Sequence, residues 1–145
     1  MTLMPSPLEQ QFMEYWTDRI PGSLESAREI LNSDTDIRYT LGMFLKDREH
    51  NRILDMGTGV GVIAIELSLM GHEVQGLDSN PEVLKAARSL AEEYGADVKF
   101  IEGDVQDPGF IKDKYDVIVA RNCLWNLEEP ARAYAKWKDL LNPGG

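Results

Sequence analysis

The chain has one cysteine in its 145 residues, Cys123, so no intrachain disulfide can form and a reducing, cytoplasmic setting is the expectation. Basic residues are scarce. Fifteen Lys and Arg stand against twenty-five Asp and Glu, a net charge of −10. A general nucleic-acid partner is therefore not expected, because phosphate binding needs a basic face. There is no apolar run of the ~20 residues that a membrane span needs; Glu66 and His72 interrupt the best one. Met1 to Leu8 lacks the basic-then-apolar order of a signal peptide. Only two histidines occur, His50 and His72, and no Cys/His cluster has metal-ligand spacing. No G-x-S-x-G nucleophile turn is found, and no Gly-Lys-Ser/Thr follows a glycine loop.

What remains is a composition, 43% hydrophobic and 28% charged, that suits one globular domain. The most informative stretch is Ile53-Leu54-Asp55-Met56-Gly57-Thr58-Gly59-Val60-Gly61. It reads as a buried strand, a glycine turn and then a helix whose apolar run, Val62 to Met70, is buried on most of its surface. Such a turn points backbone N–H groups at a ligand and offers no Cβ to block its approach. The glycines follow G-x-G-x-G. A dinucleotide fingerprint wants G-x-G-x-x-G, and Val62 stands where its third glycine belongs.

The first fifty residues read as helical: an N-terminal cap or lid segment, 1–50, ahead of a sheet domain, 51–145. Ser6 caps a first helix with Pro7 at its first position. Phe12, Tyr15 and Trp16 share one face of it, either as packing or as a lid. Pro21-Gly22 is expected to break that helix and Ser23 to cap the next. A third helix starts near Asp34 to Asp36, and Asp47 to Asn51 connects it to the sheet. Strands are then expected at Arg52 to Met56, Glu73 to Leu77, Asp97 to Glu102 and Tyr115 to Ala120. Helices are expected over Val60 to Met70, from Pro81 to about Tyr94, and over Glu128 to Leu141. The alternation implies a parallel sheet with right-handed crossovers, with ligands at the carboxyl ends of the strands.

Unusual residues follow those strands. Asp78 ends the second strand. It can accept from two ribose hydroxyls or cap a helix beside Ser79 and Asn80, and Asp104, before Val105, can accept from an adenine amine or be a loop acid. Asp55 either holds the glycine turn or lies near a ligand's amino group. Arg121 and Asn122 follow the fourth strand at the mouth of the crevice; alternatively they pair with local acids and cap a turn. Cys123 lacks a histidine partner and reads as a small buried hydrophobe.

From Arg52 onward the chain resembles the class I S-adenosylmethionine (SAM) dependent methyltransferases, most closely their type-11-like small-molecule branch. The resemblance is carried by Leu54 to Gly61, Gly76-Leu77-Asp78, Gly103-Asp104-Val105, Asp116 to Arg121 and Leu141 to Gly145. It implies a Rossmann-like three-layer α/β/α fold with strand order 3-2-1-4. It also implies SAM as cofactor, with S-adenosylhomocysteine as product, and methyl transfer to a small molecule by in-line displacement. The turn with Asp55, Gly57, Thr58, Gly59 and Gly61 would hold the methionine part, and Asp78 with Ser79 the ribose. Asp104 and Val105 would hold the adenine, Arg121 and Asn122 the methyl-donor end, and Tyr15 and Trp16 would belong to a lid. No metal is implied. In the family a Pro-Gly-Gly turn leads into a fifth strand, and here it is the end of the sequence. The domain is thus expected to lack strands five to seven, as a fragment or with its fourth-strand edge covered by self-association or by the N-terminal helices. A non-catalytic SAM-binding or interaction module is the alternative, and an NAD(P)-dependent oxidoreductase a more distant one.

Overall fold

The computed structural model describes residues 4–33, 36–45, 50–121 and 123–145. Three helices come first: α1 (Pro7–Asp18), α2 (Ile20–Asn32) and α3 (Asp36–Leu45). Strand β1 (Arg52–Met56), helix α4 (Val62–Leu69), strand β2 (Glu73–Asp78), helix α5 (Pro81–Glu93) and strand β3 (Val98–Glu102) then alternate. A 3-10 turn at Pro108–Phe110 precedes strand β4 (Val117–Ala120), a second 3-10 turn at Leu124–Asn126 follows it, and helix α6 (Pro130–Asp139) comes last.

The strands form one parallel sheet in the order β3-β2-β1-β4, as the resemblance implied. Strand alternation divides the core in two. Ile53, Val74 and Phe100 face a cluster built with α4, α5 and the N-terminal helices. Leu54, Met56 and Leu77 face the other side, against Tyr115, Leu127, Ala133 and Trp137. Burial on both faces is why β1 carries Ile53 and Leu54 side by side instead of an apolar–polar alternation.

Ser6 caps α1 as expected and forms a full capping box: its Oγ accepts from Glu9 N at 3.2 Å, and its own N–H donates to Glu9 Oε2 at 2.6 Å. The next boundary differs from expectation. Pro21-Gly22 does not end α1; it lies in the first turn of α2, where the missing proline N–H would be unsatisfied anyway. Ser23 is therefore inside α2, and Arg19 joins the two helices without a side-chain cap. Residues 34, 35 and 46–49, which include the expected start of α3 and most of the connection into the sheet, lie outside the described residues.

The start of β4 also moves. Tyr115 precedes β4 and makes a bridge to Leu141, donating its N–H to Leu140 O at 2.8 Å and accepting from Asn142 N at 2.7 Å. Its hydroxyl, fully buried, donates to Gln75 Oε1 at 2.5 Å. On the outer side of β4 this bridge is the pairing among the described residues. Helix α2 packs on α4 and α5, and α1 packs on α2 and α5. Glu66, read in the sequence only as an interruption of an apolar run, is fully buried on α4. It accepts from Arg38 Nε at 2.9 Å and Nη2 at 3.1 Å, which ties α3 to the sheet domain.

Candidate functional site

The loop between β1 and α4 is set by three residues with positive φ: Gly57 (65°), Gly59 (57°) and Gly61 (87°). Only glycine adopts such angles without strain. The three have different surroundings. A Cβ on Gly57 would stand 2.7 Å from Cys123 Cβ, and one on Gly61 would stand 2.9 Å from the Phe100 ring. A Cβ on Gly59 would meet nothing within 4 Å. Gly57 and Gly61 are therefore held by packing, while Gly59 is open.

Side chains behind the loop hold its shape. Thr58 donates its hydroxyl to Asp55 Oδ2 at 2.8 Å and its N–H to Leu77 O at 3.0 Å. Asp55 is 2% exposed, and burial pushes its carboxyl up to about 7. The negative charge of Asp78 adds to the rise, while the Thr58 hydrogen bond, the Ala64 N–H and Arg121 oppose it. Asp78, at the end of β2, receives Gly59 N–H on Oδ2 and Asn80 N–H on Oδ1, each at 3.0 Å. Burial raises its pKa as well, and the N–H groups of Asn80, Gly59 and Ser79 pull it back.

These residues line a cavity of about 800 Å³, a size usual for small-molecule and cofactor sites. Its floor holds Asp55, Gly57, Thr58, Gly59, Asp78 and Ser79. Val105 and Arg121 are on the wall, and Phe12, Met13 and Trp16 of α1 close over it with the α2 residues Ser23, Ser26, Ala27 and Ile30. The structure thus brings together most of the residues singled out in the sequence. Gly61 supports the loop from outside the cavity. Tyr15 is also outside the wall; its ring stacks edge-on against Trp16, 5.1 Å between centroids, and carries the Arg19 guanidinium 3.4 Å above it. Asp104 is exposed and turned to its own loop, where it accepts from Gln106 N at 2.8 Å. Asn122 lies outside the described residues.

Several wall residues were not singled out as site residues. Ser23, Ser26, Ala27 and Ile30 form one helical stripe at i, i+3, i+4 and i+7, a signal readable in advance. Arg19, from the junction of α1 and α2, has no comparable sequence signal. Cys123 lines the cavity too, but burial, with the charges of Asp55 and Asp78, pushes its thiol up to about 11. The thiolate needed of a nucleophile is thus suppressed. Val105 is fixed through its carbonyl, which accepts from Trp137 Nε1 at 2.6 Å. Among the described residues no group of His, Cys, Asp or Glu can hold a metal, and no helix is long and apolar enough to cross a membrane.

Comparison with known proteins agrees with this geometry. Residues 53–145 match the family described as "Methyltransferase domain". A ubiquinone biosynthesis O-methyltransferase of Serratia proteamaculans is 33% identical over 94 residues, covering 64% of this chain and 39% of that protein. Its counterpart in Vibrio atlanticus is 31% identical over 110 residues, 75% of this chain and 44% of that one. A solved SAM-dependent methyltransferase from Thiobacillus denitrificans, in complex with S-adenosyl-L-homocysteine, is similar with a TM-score of 0.64 and 29% identity over 76% of this chain and 45% of that chain. The chain spans about two fifths of the length of the curated relatives it matches. Since the matched region takes in all four strands, the glycine loop and Asp78, the chain belongs to the methyltransferase domain family.

Proposed function

We propose that the chain forms the cofactor-binding part of a SAM-dependent methyltransferase acting on a small molecule. The observation that carries this reading is the open Gly59, held over the cavity by Asp78. A ligand can approach the loop backbone there as no side chain would allow. The donor set fits the group. Loop residues Gly57 to Gly59 hold the methionine part through the close backbone approach that the open Gly59 allows, Asp78 and Ser79 the ribose, and Val105 the adenine. Arg121 borders the methyl-donor end. Asp104, outside the wall, is given no role in this reading.

When bound, the cofactor supplies a methyl group on a sulfonium, a good leaving group that a nucleophile displaces in line. The chain contributes alignment and exclusion of water. The wall suits both roles, since α1 and α2 cover it with Phe12, Trp16, Ala27 and Ile30, and no histidine lines it among the described residues. The relatives named for ubiquinone biosynthesis and the net charge of −10 both favour a small-molecule acceptor over nucleic acid.

Calorimetric titration with S-adenosylhomocysteine, and separately with NAD, tests the reading. Micromolar binding of the first and none of the second is expected. Binding of NAD alone would point to oxidoreductase chemistry. A folded sample that binds neither would refute the placement of the cofactor site in these residues.

A further inference from the structure

Of Ser79 and Asn80, the two residues that could cap α5, Asn80 does so: Oδ1 accepts from Glu82 N at 3.0 Å and from Val83 N at 3.2 Å. Half of the amide remains. Nδ2 donates to Met13 O at 3.2 Å and to Thr17 Oγ1 at 3.1 Å, both on α1. The amide orientation is forced, because the two backbone N–H groups can only donate and the Met13 carbonyl can only accept. The Thr17 hydroxyl sends its own proton to Met13 O at 2.8 Å, leaving its oxygen free to accept from Asn80. Asn80 is 3% exposed, and all four hydrogen-bonding positions of its amide are used.

The three N-terminal helices are not held equally. α2 buries Ala27 and Leu31. α3 buries Leu45 and carries the ion pair to the fully buried Glu66. α1 has no fully buried residue; beyond its joint with α2 it rests on the half-buried Trp16 and on Asn80. Local opening follows such differences in buried contact, so α1 is the element that leaves first. It also supplies Phe12, Met13 and Trp16 to the cavity wall.

We propose that Asn80 is the latch that holds α1 closed over the cavity, and that α1 opens as a unit when its two hydrogen bonds break. The Asn80 main chain extends the latch to the loop, since its N–H and that of Gly59 meet on the one carboxylate of Asp78. Closure of α1 and the shape of the glycine loop therefore share a support. The proposal holds whatever ligand the cavity takes.

Hydrogen–deuterium exchange on the ligand-free chain, read by peptide, tests it with Asn80→Asp. Aspartate caps a helix as well as asparagine, but it has no donor for Met13 O or Thr17 Oγ1 and sets a carboxylate against the carbonyl. Loss of two hydrogen bonds should speed exchange in α1 by about tenfold or more, with α4, α5 and the melting temperature holding near wild type. Thr17→Val removes one of the two latch bonds, together with the hydroxyl's own bond back to Met13 O, which does not stabilise a helix, and should speed α1 less. The double variant should fall short of the product of the two effects, because they share the Asn80–Thr17 bond. If Asn80→Asp lowers the melting temperature, Thr17→Val, which leaves the cap untouched, decides alone: faster α1 exchange supports the latch. Unchanged α1 exchange in Thr17→Val, or in an Asn80→Asp protein of normal melting temperature, overturns it.

Discussion

Alanine at Gly59 and at Gly61 should separate what the glycine loop does for the ligand from what it does for the fold. Both positions have positive φ, so a Cβ at either costs about 1 kcal/mol or somewhat more in backbone strain. At Gly59 that is the whole cost, since the new methyl meets nothing within 4 Å. At Gly61 the methyl would stand 2.9 Å from the Phe100 ring and 3.4 Å from Ala87 Cβ, and overpacking of this kind adds roughly 1–3 kcal/mol. Gly59→Ala should thus lose about 1 kcal/mol, a fall of roughly 3 °C in melting temperature for a chain this long. Gly61→Ala should lose about 3 kcal/mol and two to three times as many degrees. Binding should run in the opposite order: Gly59→Ala weakens S-adenosylhomocysteine at least tenfold, because its methyl occupies space that the ligand needs. Thermal melting and calorimetric titration on the same samples give both numbers. Wild-type affinity in Gly59→Ala would refute a ligand seated on the loop. Equal destabilisation by the two variants would refute the packing role given to Gly61.

The buried acid behind the loop gives a pH signature. Asp55 has its carboxyl raised to about 7, against 3.8 for an unperturbed one, so between those values the native state holds a proton that the unfolded chain has released. Stability should therefore fall as pH rises from about 4 to 7 and level off above; Asp55→Asn should remove that part of the slope in urea titrations repeated across the range. An unchanged slope would show that Asp55 ionises normally. At the joint of α3 and α4, Arg38→Ala leaves Glu66 buried without its ion-pair partner and should cost about 3 kcal/mol. Arg38→Ala with Glu66→Leu should recover most of it in chemical denaturation, and no recovery would mean that Arg38 acts through contacts other than the pair.

The sheet was legible because β1, β2 and β3 each stop at a glycine or an acid, residue types that strands avoid. Asp78 and Gly103 close β2 and β3, and proline at position 81 or 130 opens a helix. Boundaries failed where one signal has two physical meanings. Proline and glycine at 21 and 22 read as a break, yet proline is also at home in a first helical turn, and the structure uses it that way. Asp104 and Asp78 look alike in the sequence, each an acid after a strand. The N–H of Gln106, two residues on, captures Asp104 in a local turn. Asp78 is drawn to Gly59 from a different crossover. Pairings such as Arg38 with Glu66, or Asn80 with Thr17, left no trace, because each joins elements whose nearness only the folded chain decides.

Asp78 illustrates why the fold and the proposed site need not compete for the same atoms. A carboxylate offers about four acceptor positions on two oxygens. Here each oxygen takes a well-formed backbone hydrogen bond, Oδ2 from Gly59 and Oδ1 from Asn80, and Ser79 N–H adds a weaker pull. These bonds fix the carboxylate before any ligand arrives and still leave acceptor capacity, so a ribose hydroxyl can bind without displacing the loop. Fixing it costs part of its solvation, which is why its pKa stands above the ordinary value despite three N–H groups. A hydroxyl donor restores some of that lost solvation. The group that gains most from a bound ribose is thus the one already shaping the loop, and binding should stiffen Gly59 and the start of α5 together.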